Sequence, residues 1–432
     1  MENDELLLGG CQLPPERLRN IVESAHLNFL IGAGTSSAYF DALGNIEDAL
    51  TELADAPGSE DSKLLVRASI QAYFFENVLI PNIKILEKDP SAEDVLQSYA
   101  QFVRTLNRIL LRRRSTLLPK QANIFTTNVD MLFEVSMEAL SVEYTDGFSG
   151  KIRPRLDLGD FGTLRFRVGS RYDHRFEIPV FNLIKIHGSA AWAQDEQLNG
   201  KTEIYFDHGL TLVKAVDYLR QSAKQHLLEV IDEETSEGNG PLILPINKLL
   251  KNADDRINFF ESDQRSSSTV DLNAVRSFTT KYNQLGIVNP DKRKFATTVL
   301  NQTYYELIRR FSNELEKENS VLFVHGFSFR DEHLRELVLR AARTNPTLQV
   351  IVFCYTRSDL RGYRDLLPES ELKNGNVQFI IPDKIDEGFE RRISLDVLER
   401  NYFAPIIQDQ NRESNQPVEL GIQASNIEVN DD

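Results

Sequence analysis

The sequence is poor in cysteine and in positive charge. It has two cysteines in 432 residues, Cys11 and Cys354, too few for a disulfide framework or a four-cysteine zinc ribbon. Its 49 lysine and arginine residues are outnumbered by 65 aspartate and glutamate residues, which gives a formal net charge of -16. Direct binding to nucleic acid or to an anionic membrane surface is therefore not expected.

Long apolar runs and a secretory leader are missing as well. No apolar run reaches the roughly 18 residues that a transmembrane helix needs. The first residues, Met-Glu-Asn-Asp-Glu, are acidic, whereas the start of a signal peptide is basic. These features predict a cytoplasmic protein that has no membrane partner.

What the chain does have is the composition of a globular protein, with 41% hydrophobic and 26% charged residues. Its length suffices for one large domain with insertions or for two or three smaller domains. Stretches of helical periodicity alternate with short apolar runs at 27–31, 123–126, 181–186, 320–325, 348–355 and 377–381. This alternation predicts an α/β fold with a doubly wound, mostly parallel, Rossmann-like sheet.

We predict one nucleotide-binding domain over residues 1–407, with two insertions. Apolar residues recur at threes and fours between 46 and 118, which indicates a helical insertion whose aromatic residues lie in a core and not at a ligand. A second insertion, 190–315, is of mixed character. The basic stretch 151–175 is predicted to be a solvated β-hairpin and not an anion or partner site. The acidic segment 408–432 is predicted to be a disordered tail.

One stretch has the pattern of a phosphate-binding turn. The apolar run Leu27–Ile31 leads into Gly32-Ala33-Gly34-Thr35-Ser36, and residues 37–43 are predicted to begin a helix. Strand, glycine turn and helix together present backbone N–H groups and a helix dipole to a pyrophosphate. Glycine lets the backbone approach the phosphates closely. The spacing differs from the full G-x-G-x-x-G, however, and small residues also make ordinary strand–helix turns.

Four of the predicted strands end in polar or glycine turns. These turns are Gly32–Ser36, Thr126–Asp130, His187–Ser189 and Gly326–Ser328. Because ligands bind at the carboxyl ends of parallel strands, the four turns are expected to meet at one site. Besides the glycine turns, that site would hold an amide (Asn128), a carboxylate (Asp130) and an imidazole (His187).

Each of these side chains also has a simpler interpretation. A histidine that follows a buried strand is often hydrogen-bonded to the backbone, which would explain His187. Asn128 and Asp130 are of residue types favoured at helix N-caps. Ser328 could likewise cap a helix expected around 331–340. The coincidence of four such turns is what favours a shared site.

Together the turns resemble the signature motifs of sirtuins. Gly32–Ser36 is similar to the GAGxS turn, Thr127-Asn-Val-Asp130 to the (T/Q)-N-(I/V)-D motif and His187-Gly188 to the catalytic His-Gly, in the family's order. Gly326-Phe-Ser328 falls where sirtuins have a second nucleotide-binding turn. The resemblance spans residues 27–355 but is confined to the motifs, and it implies a sirtuin-like fold that binds NAD.

The sequence departs from protein-deacylating sirtuins in two places. With two cysteines it cannot build their four-cysteine zinc module, so no zinc module and no metal are expected. Residues 38–41 are Ala-Tyr-Phe-Asp where deacylases have Pro-Asp-Phe-Arg. The segments 287–290, 304–305 and 324–333 instead resemble the zinc-free, sirtuin-like branch of bacterial anti-phage systems. That resemblance implies an NAD glycohydrolase that depletes NAD in abortive infection.

The resemblance also implies a role for each motif in cleaving NAD to nicotinamide and ADP-ribose. His187 is the expected general base for an attacking water, and Asn128 is expected to hold the ribose and that water. Asp130 would contact the nicotinamide side or the ribose. The other nucleotide-binding residues are expected to be Gly32, Ala33, Gly34, Thr35 and Ser36 at the pyrophosphate, Thr127 in the motif of Asn128, and Gly326 and Ser328 at the adenosine half.

An effector of this kind needs a switch, because unregulated loss of NAD kills the host cell. The resemblance implies a homo-oligomer gated by assembly or by a partner, either a HerA/FtsK-type hexameric ATPase or, as the alternative, an Argonaute-type protein. Three other functions remain open: an NAD-dependent protein deacylase or ADP-ribosyltransferase, a non-catalytic NAD or ADP-ribose sensor, and nuclease action within a partnered complex, for which no metal-carboxylate motif stands out. The missing zinc module argues against the first, and the joint presence of Asn128 and His187 argues against the second.

Overall fold

The structure is a computed structural model of the chain. It describes residues 10–40, 45–115, 117–169, 174–196, 202–232, 242–262, 270–288, 302–383 and 392–407. The predicted tail, 408–432, and residues 289–290 of the resemblance to the anti-phage branch lie outside this part of the chain. No helix in the described ranges has both the length and the apolar character that crossing a membrane requires.

The strands fall into one large sheet and three smaller ones within the described residues. In chain order they are β1 (Gly10–Cys11), β2 (His26–Ile31), β3 (Gln121–Thr126), β4 (Tyr144–Thr145), β5 (Phe148–Ser149), β6 (Arg155–Leu156), β7 (Arg165–Val168), β8 (Arg175–Ile178), β9 (Val180–Lys185), β10 (Gly188–Glu196), β11 (Thr202–Phe206), β12 (Ile231–Asp232), β13 (Leu242–Ile243), β14 (Leu285–Ile287), β15 (Ser320–His325), β16 (Gln349–Phe353) and β17 (Val377–Ile380).

The helices cover both faces of the large sheet and also build a second core. In chain order they are α1 (Pro15–Ser24), α2 (Ile46–Asp55), α3 (Glu60–Phe74), α4 (Ile80–Leu86), α5 (Glu93–Arg112), α6 (Leu132–Ala139), α7 (Thr211–Ala223), α8 (Ile246–Ser262), α9 (Leu272–Tyr282), α10 (Gln302–Glu316), α11 (Glu332–Thr344), α12 (Asp359–Leu366) and α13 (Leu395–Leu398). A π-helical turn, Phe75–Leu79, joins α3 to α4.

The large sheet consists of eight parallel strands in the order β1-β17-β16-β15-β2-β3-β9-β4. From β2 the chain proceeds through β3 to β9 on one side, and it later returns to β15 on the other side of β2. The boundary between β2 and β15 is therefore the topological switch point, where open α/β sheets bind ligands. The predicted α/β fold with a large parallel sheet is confirmed.

Alternate residues of the sheet strands face two separate cores. In β2, Phe29 points to one face and packs edge-on against Phe102 of α5, with ring centroids 5.7 Å apart. Its neighbour Leu30 points to the opposite face and joins a core that includes Phe311 of α10. Because both faces are covered, the strands are mostly apolar, which is why they stand out in the sequence.

The helical segment 46–118 contributes to two cores. Its last helix, α5, packs on the large sheet beside α6. Helices α2 and α3 pack instead with α8 and α9 against a second, antiparallel sheet of order β14-β10-β11-β6-β5. From the segment 190–315, α10 returns to the large sheet and packs on α11 and β15.

The described part of the basic stretch 151–175 lies mainly on the surface, as predicted. Strands β7 and β8 form an antiparallel hairpin in which Arg167 stands opposite Phe176, and both residues are exposed. The described residues of this hairpin do not line the cavity described below.

A row of three asparagines fixes the register of the strands that carry the site. Asn28, Asn123 and Asn182 are register partners on β2, β3 and β9. Asn123 Nδ2 donates to Asn28 Oδ1 at 2.8 Å, and Asn182 Nδ2 donates to Asn123 Oδ1 at 2.7 Å. Asn28 Nδ2 in turn donates to Ser320 Oγ on β15 at 2.8 Å. A slip by one residue would break this row and turn apolar side chains to the wrong face.

The helix predicted for residues 37–43 is wrong over 37–40, its described part. Ala33–Thr35 form a single 3-10 turn, a further turn follows, and the next helix within the described residues is α2. The Ser37 hydroxyl donates to the Gly34 carbonyl at 3.0 Å, a local bond of the kind that competes with helix formation. No helix dipole therefore starts directly behind the first glycine turn.

Candidate active site

The four strand-end turns follow neighbouring strands of the large sheet. Strands β15, β2, β3 and β9 stand side by side and run in the same direction. Their carboxyl ends border a cavity of about 510 Å³, which is within the range of about 300–1,000 Å³ that small-molecule sites occupy. All four turns contribute residues to the wall of this cavity.

Most of the candidate residues line the cavity directly. They are Ala33, Gly34, Ser36, Thr127, Asn128, Asp130, His187, Gly326 and Ser328. Gly32 and Thr35 lie behind the lining instead. Thr35 Oγ1 is 2.9 Å from His325 Nδ1, and Gly32 N donates to His325 O at 3.0 Å. These two residues bind the first glycine turn to the end of β15.

Glycine is required where the turn after β2 meets the turn after β15. A Cβ atom on Gly32 would lie 2.5 Å from the carbonyl oxygen of Gly326 and 2.6 Å from Cα of Phe327. A Cβ atom on Gly326 would lie 2.3 Å from the backbone nitrogen of Thr35, and Gly326 has a φ of +64°, in the left-handed region. The two glycines therefore allow the turns to pack against each other.

The same packing engages N–H groups that were expected to face a pyrophosphate. Gly34 N donates to Gly326 O at 2.9 Å, and Thr35 N and Ser36 N donate back into their own turn at 3.0 and 3.2 Å. An N–H group that already has a carbonyl partner is a weaker donor to an anion. Arg330, which the sequence analysis did not single out, lines the cavity and supplies a positive charge there.

Carboxylates outnumber cations in the wall of the cavity. The acidic lining residues are Glu47, Asp130, Asp331 and Asp359. Among the described lining residues, Arg330 is the only arginine or lysine. A ligand that carries phosphates is consequently expected to place them near Arg330.

The Asn128 side chain is anchored to the first glycine turn and does not cap a helix. Its Nδ2 donates to the carbonyl oxygen of Gly32 at 3.2 Å and to Ser36 Oγ at 3.3 Å. Because a carbonyl oxygen only accepts, this contact fixes which end of the amide is nitrogen. The other end, Oδ1, is buried and makes no hydrogen bond within the described residues, and the buried Tyr99 hydroxyl, which also makes none, lies close to the Asn128 side chain. A buried acceptor without a partner is costly, so it marks a place where a ligand or water donates.

The register of the sheet places Asn128 beside His187. Thr126 at the end of β3 pairs with Lys185 at the end of β9. Asn128 and His187 each follow their strand end by two residues. Because adjacent strands lie about 4.8 Å apart, the two residues follow neighbouring strand ends, and both line the cavity.

The His187 imidazole lies against a carboxylate, that of Asp331. Its Nε2 atom lies 3.2 Å from Oδ2 of Asp331, and the two side chains are 19% and 8% exposed. Asp331 is also the N-cap of α11. The alternative interpretation of Ser328 as the cap of this helix is therefore wrong. Sequence analysis missed Asp331 as a site residue because an aspartate before a helix is sufficiently explained by capping.

A second histidine, His325, borders the cavity but is fully engaged by the protein. Its Nε2 atom is 2.9 Å from the carbonyl oxygen of Ile393, which only accepts, so Nε2 carries the proton and Nδ1 accepts from the Thr35 hydroxyl. Burial lowers the pKa of His325 to about 4. This histidine therefore stays neutral near pH 7 and has no free nitrogen for chemistry.

Asp130 accepts a hydrogen bond just before α6 but is not its N-cap, which is Met131, and the buried Lys185–Glu134 pair lies behind it. Its Oδ1 accepts from Leu132 N at 3.1 Å at the start of α6. Burial raises the pKa of Asp130, and the nearby Lys185 ammonium partly offsets that effect. Lys185 donates to the Asp130 carbonyl and lies 3.0 Å from Glu134 Oε1, with the Lys185 and Glu134 side chains 2% and 4% exposed. Burial raises the pKa of Glu134 to about 7.

Glu134 is expected to make folding stability fall as the pH rises. Its pKa of about 7 in the fold exceeds the ordinary value of 4.5, so the folded protein keeps a proton that the unfolded chain has lost. The contribution is complete below the ordinary value and is lost as the pH rises through about 7. Urea denaturation at about pH 5.5 and about pH 8 measures the difference, which Glu134→Gln is expected to reduce.

The quantity to compare between wild type and Glu134→Gln is the difference in unfolding free energy between the two pH values, and not the unfolding free energy at either pH. Glu134→Gln also changes absolute stability, because the buried Lys185 loses the carboxyl group beside it. Glu306→Gln, at a partly exposed ion pair with Arg309, is the control and should keep the wild-type pH difference. An unchanged pH difference in Glu134→Gln would contradict the assignment.

The helical layer supplies a wall that the sequence analysis did not foresee. Phe74 of α3 and Val78 of the π-helical turn line the cavity. Asn82 of α4 accepts from Met131 N at 3.0 Å and so ties this layer to the loop that carries Asn128. These contacts join segments far apart in sequence, and only the helical spacing of the layer was visible beforehand.

Neither a metal site nor a similar known protein narrows the choice of function for this cavity. Among the residues that the structure describes, no group of three or more histidine, cysteine, aspartate or glutamate side chains is placed to hold a metal ion. No protein-family model matches the chain, and no curated protein is detectably similar to it.

Proposed function

We propose that the cavity binds NAD and hydrolyses the bond between nicotinamide and ribose, as in the zinc-free, sirtuin-like NAD glycohydrolases of anti-phage defence. The observation that carries the proposal is the pairing of two side chains in one cavity. Asn128 offers a buried amide oxygen without a protein partner, and His187 offers an imidazole whose other side is held by Asp331. The cavity lies at the switch point of a parallel sheet and has the volume of a small-molecule site.

The chemistry needs a base, an acceptor for a hydroxyl and room for a leaving group. As the C1′–nitrogen bond of NAD breaks, its electron pair stays with the departing nicotinamide, and positive charge develops on the ribose. Water forms the new bond to C1′ and gives up a proton to His187, which later releases it to solvent. Asn128 Oδ1 can accept from a ribose hydroxyl or from that water. The products are nicotinamide, ADP-ribose and one proton.

The phosphates would lie beside Arg330. Charge-assisted hydrogen bonds from a guanidinium to phosphate oxygens are stronger than those from neutral donors. Arg330 is placed between the second glycine turn and α11, so it can reach a pyrophosphate that lies across both glycine turns. Its charge also offsets the carboxylates of the cavity wall, which would otherwise repel the ligand.

The same proposal includes control of the NAD-hydrolysing activity by assembly of the protein. Phe74 and Val78 belong to the helical layer, yet they line the cavity. A second copy of the chain or a partner ATPase that displaced α3 or α4 would therefore change the shape of the site. The partner that the sequence resemblance implies, a HerA/FtsK-type ATPase, is the first candidate to add to the assay.

The proposal is tested by incubating the full chain with NAD and separating the products by chromatography. The assay is run at increasing chain concentration and with the candidate ATPase. We expect nicotinamide and ADP-ribose in equal amounts without any acyl-lysine peptide. Nicotinamide release that requires such a peptide would indicate a deacylase, ADP-ribose attached to protein would indicate a transferase, and NAD that binds but stays intact under every condition would indicate a sensor.

A further inference from the structure

Asp331 joins the His187 side chain to the start of α11. We propose that Asp331 is a positioning residue that holds His187 in the tautomer with the proton on Nε2, so that Nδ1 is the nitrogen that acts as the base. This inference rests on the proposed function and names a requirement of the same site. It concerns a residue whose capping role alone would explain its presence in the sequence.

The two carboxylate oxygens of Asp331 have different partners. Oδ1 accepts from the backbone nitrogens of His333 and Leu334 at 3.1 and 3.2 Å. Oδ2 lies 3.2 Å from Nε2 of His187. The helix therefore sets the orientation of the carboxylate, and the positive end of the helix dipole favours its ionised form. A carboxylate held in this way presents Oδ2 to the imidazole in one fixed direction.

The chemistry of the partners decides which nitrogen is the base. An ionised carboxylate only accepts hydrogen bonds, so the Nε2 atom that faces it must carry a proton. In the neutral ring, Nδ1 then has the free electron pair. His187 Nδ1 has no hydrogen-bond partner among the described residues, and His187 lines the cavity. When Nδ1 takes a proton from water, the adjacent carboxylate stabilises the imidazolium that forms.

The Asp331→Asn substitution keeps the hydrogen bonds that cap α11 but changes the atom that faces His187. Asparagine is as good an N-cap residue as aspartate, so its Oδ1 can still accept from the helix N–H groups. The atom that then faces His187 is an NH₂ group, which donates. Nε2 must accept from it, and the proton moves to Nδ1, where it blocks the base. A carboxylate-to-amide change at such a pair acts through the wrong tautomer.

The first measurement is steady-state NAD hydrolysis by Asp331→Asn. We expect kcat to fall by about ten- to a hundredfold or more, with a much smaller change in KM. The matched control is Asp271→Asn, at the N-cap of α9. Asp271 Oδ1 accepts from Asn273 N and Ala274 N at 2.9 and 3.1 Å, so the control makes the same substitution at the same kind of cap. It should retain wild-type kcat.

The second measurement does not depend on activity. Nitrogen-15 NMR of histidine-labelled protein distinguishes the two neutral tautomers, and comparison with His187→Ala assigns the His187 signal among seven histidines. We expect the Nε2–H tautomer in the wild type and the Nδ1–H tautomer in Asp331→Asn. The same tautomer in both proteins would overturn the inference.

Wild-type kcat in a folded Asp331→Asn variant would overturn it as well. Failure of the proposed function has a different signature, because the wild type would then leave NAD intact while the tautomer experiment still decides the role of Asp331.

Discussion

Replacing His187 with alanine is expected to reduce NAD cleavage by about two to four orders of magnitude while the fold persists, because the change removes the general base. The ring is partly exposed at the cavity, and its Nε2 contacts Oδ2 of Asp331. Alanine therefore leaves no large void in a core. Initial rates of nicotinamide release, with circular dichroism as the check on folding, measure the effect.

His208→Ala is the matched control. His208 is exposed and lies outside the cavity lining, so this variant should keep wild-type turnover. His325 cannot replace His187, because both of its ring nitrogens are engaged and burial lowers its pKa to about 4. Full NAD turnover by a folded His187→Ala variant would show that another group activates the water.

Gly32→Ala is expected to abolish NAD binding and to destabilise the fold. The new Cβ would lie 2.5 Å from the carbonyl oxygen of Gly326 and 2.6 Å from Cα of Phe327, and neither backbone atom can rotate away as a side chain could. The two glycine turns would have to separate, and Asn128, which donates to the carbonyl of Gly32, would move with them. Overpacking of this kind costs about 1–3 kcal/mol.

Two measurements check this prediction: the urea midpoint of unfolding, and calorimetric titration with NAD. Gly362→Ala in α12 is the control, since its Cβ would meet no atom within 4 Å. In a helix that change is neutral or stabilising by about 1 kcal/mol. A Gly32→Ala variant with the wild-type midpoint and wild-type affinity for NAD would mean that the packing of the two turns is not needed.

The large sheet could be predicted because its strands are buried on both faces. A parallel strand covered by helices is a short, continuous apolar run, and such a run leaves a clear signal in the sequence. The run Leu27–Ile31 lies in β2, and the strand predicted at 320–325 is β15. The helix expected after the first glycine turn failed for a local reason, because the Ser37 hydroxyl takes up a backbone carbonyl and the chain turns.

The second sheet left no comparable signal. Its strands include pairs of residues such as Phe148–Ser149 and Arg155–Leu156, which are too short for a periodic pattern. Their pairing depends on contacts with β11 and with the core around Trp192, which are distant in sequence. Tertiary contacts decide such strands, and single-sequence periodicity does not report them.

The candidate site was visible to the extent that its residues follow strand ends. Asn128 and His187 come two residues after β3 and β9, and their neighbourhood follows from the order of parallel strands. Asp331 is sufficiently explained as a helix N-cap, and Arg330 beside it as an ordinary exposed residue, so neither could be predicted as a site residue. Phe74 was hidden among many apolar residues of a helix. None of these three carries a local pattern that separates a site residue from an ordinary one.

Gly32 and Gly326 must be glycines for a different physical reason from the one that the motif suggests. Gly32 and Gly326 were expected to be glycines so that a phosphate could approach the backbone. In the structure their missing side chains make room for each other's turn. The ligand would then meet a surface built from both turns, and the positive charge beside it comes from Arg330.

The most direct test of NAD hydrolysis at this cavity is a time course of NAD, nicotinamide and ADP-ribose with wild type and His187→Ala side by side. The assay contains the full chain at the concentration, or with the partner, that gives the highest turnover. We predict that wild type converts NAD into equal amounts of nicotinamide and ADP-ribose, and that the folded variant binds NAD but leaves it intact. Equal conversion by both proteins, or no conversion by either, would contradict the proposal.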